Sequence, residues 1–229
     1  MSLPEPYWQD ERRGLRLFHG DCRELLPLFA DGEFGSVITD PPYGVGIAEW
    51  DVPPDSAILR ECLRVTAGTI VMFGGAVTRS MIVFFGLEPS PERTLIWAPR
   101  FTAARTAAHG MFYQWHPIFL WRPPAFQNTF DRDVLNCSTT LTRKWYYHPA
   151  AKPPLLIGDL CLAFGGSSVL DPYCGSGTTL AACAKLGLPC TGIEIEERYA
   201  EMTAKRLSED VTYGDNNLFN QPALAEASA

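Results

Sequence analysis

An α/β fold, with a mostly parallel seven-stranded sheet and helices on both faces, is predicted by three observations. Short apolar runs rich in β-branched residues alternate with helical patterns along most of the chain. Two of those runs stop in loops of opposite character, one through Pro41-Pro42 and one through Gly175 and Gly177. One pair of runs has no helix between them, which predicts a hairpin and hence one antiparallel strand near an edge.

The strand candidates are 15–19, 36–39, 69–73, 94–97, 111–121, 168–170 and 190–195. The helix candidates are 23–29, 56–65, 78–85, 154–164, 179–186 and 198–207. Pro154 suits the first turn of its helix, where a missing N–H leaves nothing unpaired. Alternation of this kind implies right-handed crossovers that cover both faces of the sheet. The stretch 122–151 contains Pro123, Pro124 and Pro149, lacks periodicity, and reads as an irregular insertion rather than a sheet unit. The expected organisation is one domain over 1–216, followed by a polar, Ala-rich tail over 217–229 that frays.

At 229 residues, 46% apolar and 20% charged, the chain has the size and composition of a globular protein with one core. It has no apolar run of the ~18 residues that a bilayer crossing requires, and its first residues lack a signal-peptide core. A cytoplasmic location without membrane contact is therefore expected. Its seven cysteines include no Cys-x-x-Cys pair, and its four histidines complete no ligand spacing, so neither disulfide nor metal is expected. The net charge of −7 argues against a nucleic-acid partner, but its distribution argues the other way. Residues 93–152 carry eight Lys and Arg against two Asp and Glu, a local net of +6. A phosphate-contacting surface needs such a stretch, although solvated faces also cluster charge.

The segment Val169-Leu170-Asp171-Pro172-Tyr173-Cys174-Gly175-Ser176-Gly177-Thr178-Thr179 passes from a buried strand through a glycine loop into a helix. Backbone N–H groups and a helix start can hold an anionic group there. Gly175 and Gly177 allow a ligand close to the backbone. Ser176, Thr178 and Thr179 add hydroxyls. The Gly-Lys-Ser/Thr ending of a phosphate loop is missing, and position 180 is Leu where a dinucleotide fingerprint needs its third glycine. The next strand ends in Gly192-Ile193-Glu194, which places an acid where ribose hydroxyls are held in such sheets.

The segment Ser36-Val37-Ile38-Thr39-Asp40-Pro41-Pro42-Tyr43-Gly44 also begins as a buried strand and ends in two prolines that cannot continue a central strand. The turn sets a carboxylate, a free carbonyl and an aromatic ring at the strand's carboxyl end. These suit methylation of an exocyclic amine, whose lone pair is delocalised into its ring. Asp40 and the Pro41 carbonyl can accept the two amine N–H groups and favour a tetrahedral nitrogen, Pro42 stiffens the turn, and Tyr43 can stack on a base swung out of the duplex.

Together these segments resemble the β subgroup of the DNA amino-methyltransferases, in which the reaction motif precedes the cofactor motif and the target-recognition region lies between them. Two more segments are similar to elements of that subgroup: His148-Pro149-Ala150-Ala151-Lys152-Pro153 and His19-Gly20-Asp21-Cys22. The resemblance covers roughly residues 15–207. It implies a Rossmann-like S-adenosylmethionine-dependent fold with circularly permuted motif order. By resemblance, Asp21 and the Cys22 backbone hold the cofactor adenine, Glu194 its ribose, and Ser176, Thr178, Thr179 and Lys152 its methionine end. Tyr173 stands where Phe is usual, and the recognition insertion, about 122–147, is short.

The implied substrate is double-stranded DNA, at adenine N6 because Asp heads the reaction motif where cytosine-N4 members more often carry Ser. Cytosine N4 is the alternative. An RNA amino-methyltransferase is disfavoured by motif order, and a nicotinamide oxidoreductase or a non-enzymatic DNA-binding module by the reaction motif. Arg100, Arg105, Arg122, Arg132, Arg143 and Lys144 are the expected DNA contacts. Subgroup members often dimerise, so a homodimer is expected, and a partner restriction endonuclease is left open.

Overall fold

The computed structural model describes residues 2–44, 51–76, 78–99, 115–124, 133–137 and 152–209. In chain order the elements are β1 (Trp8–Asp10), β2 (Leu15–His19), α1 (Cys22–Leu25) with a 3₁₀ turn (Leu26–Leu28), β3 (Ser36–Thr39), α2 (Ser56–Val65), β4 (Ile70–Phe73) and α3 (Thr78–Phe85). They continue as β5 (Arg93–Trp97), β6 (His116–Trp121), β7 (Val134–Leu135), α4 (Pro154–Phe164), β8 (Val169–Asp171), α5 (Thr178–Leu186), β9 (Cys190–Glu194) and α6 (Glu197–Ser208).

Local chemistry accounts for the element ends. The Asp55 carboxylate caps α2 by accepting from the Ala57 and Ile58 N–H groups at 2.9 and 3.0 Å. Along α2 the buried residues Ile58, Leu59, Cys62 and Val65 form one stripe. Helix α5 starts after Gly177 and stops at Gly187, both left-handed. The expected helix over 23–29 is shorter: α1 ends at Leu25, and Pro27 tightens the next turn into 3₁₀ geometry.

The described strands form one sheet in the order β1-β2-β9-β8-β3-β4-β6-β5-β7. That is nine strands, where the sequence predicted seven. All seven expected strands are present, and β1 and β7 are additions at the two edges. Strand β6 runs antiparallel to β4 and β5, which is the expected hairpin, and β1 is a second antiparallel strand. Strand β7 pairs in parallel with β5, so part of the stretch read as irregular belongs to the sheet. The proposed tail, 217–229, lies outside the described residues.

Helices α4, α5 and α6 pack on one face of the sheet, against Leu15, Val71, Phe73 and Ile118. Helices α1, α2 and α3 cover the other, against Phe18, Ile70, Met72 and Phe119. Each fully buried aromatic ring contributes roughly 2–3 kcal/mol by leaving water. No described helix is long and apolar enough to cross a membrane. Strands β2, β9, β8, β3 and β4 are mutually parallel, so their carboxyl ends share one rim. Both predicted loops open there.

Candidate active site

Strands β3 and β8 are neighbours, which sets the loop after Thr39 beside the loop after Asp171. The two strand ends are stitched together: Thr39 Oγ1 donates to Asp171 Oδ1 at 2.6 Å. A cleft with a cavity of about 70 Å3 opens between the loops, lined by residues of both, including Asp40, Lys152, Asp171, Gly175, Ser176 and Thr179.

On the reaction side, Tyr43 Oη donates to Asp40 Oδ1, and Lys152 Nζ donates to Asp40 Oδ2 and, at 3.1 Å, to Tyr43 Oη. The Lys152 side chain is 9% exposed and that of Asp40 25%. The ammonium lies 5.4 Å from the Tyr43 ring centre and 5.1 Å from that of Phe73. Burial, reinforced by the Asp40 charge, pushes the Tyr43 phenol well above its ordinary pKa, so it remains a hydrogen-bond donor.

The backbone of this loop is held from outside. The Tyr43 and Gly44 N–H groups both donate to Asp51 Oδ1, at 3.0 and 2.9 Å. The ring of Tyr43 meets Phe84 edge to face at 6.2 Å.

On the cofactor side, the Gly175 N–H donates to Glu194 Oε2 at 2.7 Å and the Glu196 N–H to Oε1 at 2.8 Å. Gly175 is left-handed, and a Cβ there would stand in open space, so the loop leaves room for a ligand beside its backbone. Gly177 is different: a Cβ would come within 2.5 Å of Thr203 on α6. Helix α6 holds the loop's carbonyls, with Thr203 Oγ1 donating to Gly175 O at 2.9 Å and Arg206 Nη1 to Ser176 O at 2.7 Å. Burial raises the Asp171 carboxyl to about 6 against the hydrogen bonds from Thr179 and Thr39, and burial likewise raises Glu194.

Asp21 caps α1 at the end of β2, accepting from the Arg23 N–H at 2.8 Å. The adjacent Gly20 N–H donates to Glu194 O at 2.9 Å, which joins the β2 and β9 strand ends. Cys22 begins α1 with its thiol against the Tyr173 phenol, and burial raises that thiol to about 11. Cys174 is buried and its N–H donates to Ile193 O at 3.0 Å.

The structure thus brings Asp40, Tyr43, Lys152, Asp171, the loop 173–179 and Glu194 to one rim of the sheet. Arg122 is elsewhere. It follows β6, whose last residue pairs with Ile70 at the amino end of β4, opposite the cleft. Its guanidinium donates to the Leu63 and Thr66 carbonyls at 3.0 and 2.8 Å, and its backbone is left-handed. Arg122 is therefore not among the residues that the structure brings to the cleft. Arg100, Arg105, Arg132, Arg143 and Lys144 lie outside the described residues.

Four groups at this rim escaped the sequence reading: Asp51, His116, Thr203 and Arg206. Thr203 carried a usable signal, being polar on the buried stripe of α6 with Tyr199, Ala200 and Leu207. His116 stacks on Trp97 at 4.9 Å, its buried Nδ1 has no hydrogen-bond partner among the described residues, and burial plus the Lys152 charge lowers its pKa to about 4.

Comparison with known proteins agrees with this geometry. The profile of the DNA methylase family matches residues 96–205. The type II methyltransferase M.HpaI of Haemophilus parainfluenzae is 40% identical over 237 residues, covering 85% of this chain and 74% of its own length. M.HinfI of Haemophilus influenzae, another type II methyltransferase, is 26% identical over 250 residues, covering 84% and 68%. Among solved structures, the cytosine-N4-specific PvuII DNA methyltransferase aligns with a TM-score of 0.65 at 15% identity, covering 93% of this chain and 90% of that one. The complex of M1.HpyAVI with SAM aligns at 0.59 and 22% identity, covering 84% and 99%.

Proposed function

This chain belongs to the N6/N4 DNA methylase family, and from that premise we propose that it transfers a methyl group from S-adenosylmethionine to the N6 amine of adenine in double-stranded DNA. The observation that carries the reading is the meeting of two loops in one cleft: Asp40 and Tyr43 after β3, and the glycine loop after β8.

The residues present fit the cofactor. Glu194 offers a carboxylate at the end of β9 for a ribose diol, the Gly175 backbone stands beside open space, and Ser176, Thr178 and Thr179 supply polar groups along the cleft. Asp21 and the Cys22 backbone, one strand over, take the adenine end. When bound, the cofactor supplies an electrophilic methyl group on a sulfonium.

The chain's own residues do the rest. Asp40 and the Pro41 carbonyl accept the two N–H groups of the target amine and turn its lone pair towards the cleft. Tyr43 stacks on the extruded base, and Pro42 stiffens the turn between them. Lys152, bonded to both Asp40 and Tyr43, aligns the two side chains across the loop and faces the methionine end of the cleft. Acceleration then comes from positioning and from fixed acceptors aimed at the amine.

The reaction loop precedes the cofactor loop in the chain, with the basic stretch between them, which supports the circularly permuted β subgroup and a recognition region at about 122–147. Arg100, Arg105, Arg132, Arg143 and Lys144 are its proposed DNA contacts. The relatives' designation as type II methyltransferases supports a cytoplasmic restriction-modification setting with a partner endonuclease, and a homodimer belongs to the same reading.

Nucleoside mass spectrometry of unmethylated DNA incubated with the protein and S-adenosylmethionine tests the proposal. N6-methyladenine is the expected product. N4-methylcytosine would correct the base and keep the chemistry. No modified base, with cofactor binding intact, would overturn the reading.

A further inference from the structure

Asp40 is followed by two residues without N–H groups, so the first amides that can anchor the reaction loop beyond it are those of Tyr43 and Gly44. Both go to a single atom, Asp51 Oδ1. Asp51 is 7% exposed. Two residues on, Pro53 packs against Gly44, whose left-handed φ of 68° leaves no room for a side chain: a Cβ would come within 2.9 Å of the Pro53 ring. The segment from Asp51 to Pro53 therefore backs the turn, and Asp51 is absent from the lining of the cleft.

Tyr43 has two kinds of restraint. Its hydroxyl is held by Asp40 and Lys152, groups that the proposed reaction itself must engage. Its backbone is held by Asp51, which the reaction does not touch. A target amine that takes Asp40 competes with the first restraint and leaves the second intact.

We propose that Asp51 is a positioning residue for methyl transfer: by accepting the Tyr43 and Gly44 N–H groups it sets the turn that keeps the Tyr43 ring and the Pro41 carbonyl in place once Asp40 has turned to the substrate. This rests on the reaction assigned to the cleft. The requirement is for an acceptor oxygen at Oδ1, which the carbonyl of an asparagine also supplies.

The test uses the full chain and three proteins: wild type, Asp51→Ala and Asp51→Asn. Hydrogen exchange read by mass spectrometry on peptides spanning the reaction loop monitors the anchor without any assay of activity. Exchange at Tyr43 and Gly44 should accelerate in Asp51→Ala and stay slow in Asp51→Asn. Methyl transfer to unmethylated DNA at saturating cofactor should fall about 10²-fold in Asp51→Ala, the scale of an ångström-sized misplacement, and recover most of that loss in Asp51→Asn. Cofactor Kd by calorimetry should stay within about twofold of wild type in both, because Asp51 does not line the cleft.

Equal rates in the alanine and asparagine variants would overturn the proposal, as would a cofactor Kd that worsens in step with the rate. Slow exchange at residues 43 and 44 in Asp51→Ala would overturn it too. A wild-type protein that methylates no DNA while the exchange pattern holds would refute the assigned reaction and leave the anchor standing.

Discussion

The two loops that meet in the cleft solve the same problem with opposite materials. The reaction loop is stiffened from within by Pro41 and Pro42, and its next amides are tied to one carboxylate oxygen. The cofactor loop is made permissive by Gly175 and Gly177 and is held from behind by Thr203 and Arg206 on α6. A loop of prolines presents carbonyls and side chains, which suits a substrate that donates. A loop of glycines presents amides at close range, which suits a ligand that accepts. Damage to one loop should therefore appear in the rate and damage to the other in cofactor affinity.

The largest effect is expected at Asp40. Asp40→Ala should lower methyl transfer on the order of 10³-fold while cofactor Kd, read by calorimetry, stays near wild type. A wild-type rate in that variant would remove Asp40 from the chemistry and dissolve the contrast.

Glu194→Ala should do the reverse. Loss of a carboxylate bonded to Gly175, and assigned to the ribose in the proposed reading, should weaken cofactor binding by roughly 10- to 100-fold, with kcat at saturating cofactor changed only a few-fold. A collapse of kcat at saturation would show that the two loops do not act separately.

A smaller change is expected behind the glycine loop. Thr203→Val keeps the volume and deletes one hydrogen bond, so cofactor Kd should rise about fivefold with no change in the DNA product. Unchanged affinity would mean that Gly175 O needs no partner on α6.

The gentlest contrast is in stability against pH. The buried imidazole of His116 has its pKa lowered to about 4, so it binds protons less readily folded than unfolded. Its contribution is full above an ordinary histidine pKa and is lost as pH falls through that value towards 4. Asp171 has the opposite sign: its pKa is raised to about 6, so its contribution is full below the ordinary carboxylate range and is lost as pH rises through about 6. Thermal unfolding across that window should show a flatter acid limb in His116→Phe, which keeps a ring on Trp97. Asp171→Asn should instead remove a loss that appears as pH rises. Identical profiles in both variants would mean that neither group titrates on folding.

The seven principal strands were legible because each is a short apolar run bounded by turn residues. The two that were missed lack that signature. Strand β1 is Trp-Gln-Asp and β7 only Val-Leu, and both owe their place to pairing with an exposed sheet edge. The candidate cleft was legible wherever its lining comes from consecutive residues, as in Thr39-Asp40 and Asp171 to Thr179. It was illegible where one residue serves another across the chain: Thr203 acts on Gly175 through tertiary contact, and Asp51 on Tyr43 across a gap with no periodic relation. Arg122 shows the converse limit, since local charge density does not reveal that its Nη1 reaches the Leu63 and Thr66 carbonyls at the rim away from the cleft.

Pro41 and Pro42 carry a chemical consequence beyond stiffness. A proline nitrogen has no hydrogen to give, so the edge of the loop between Asp40 and Tyr43 is made of lone pairs. A base that offers an oxygen at the reacting position, such as O4 of thymine or O6 of guanine, would meet lone pair with lone pair there. Under the proposed reaction, such bases find no backbone donor on this edge, and the acceptors meant for the amine, Asp40 and the Pro41 carbonyl, repel them.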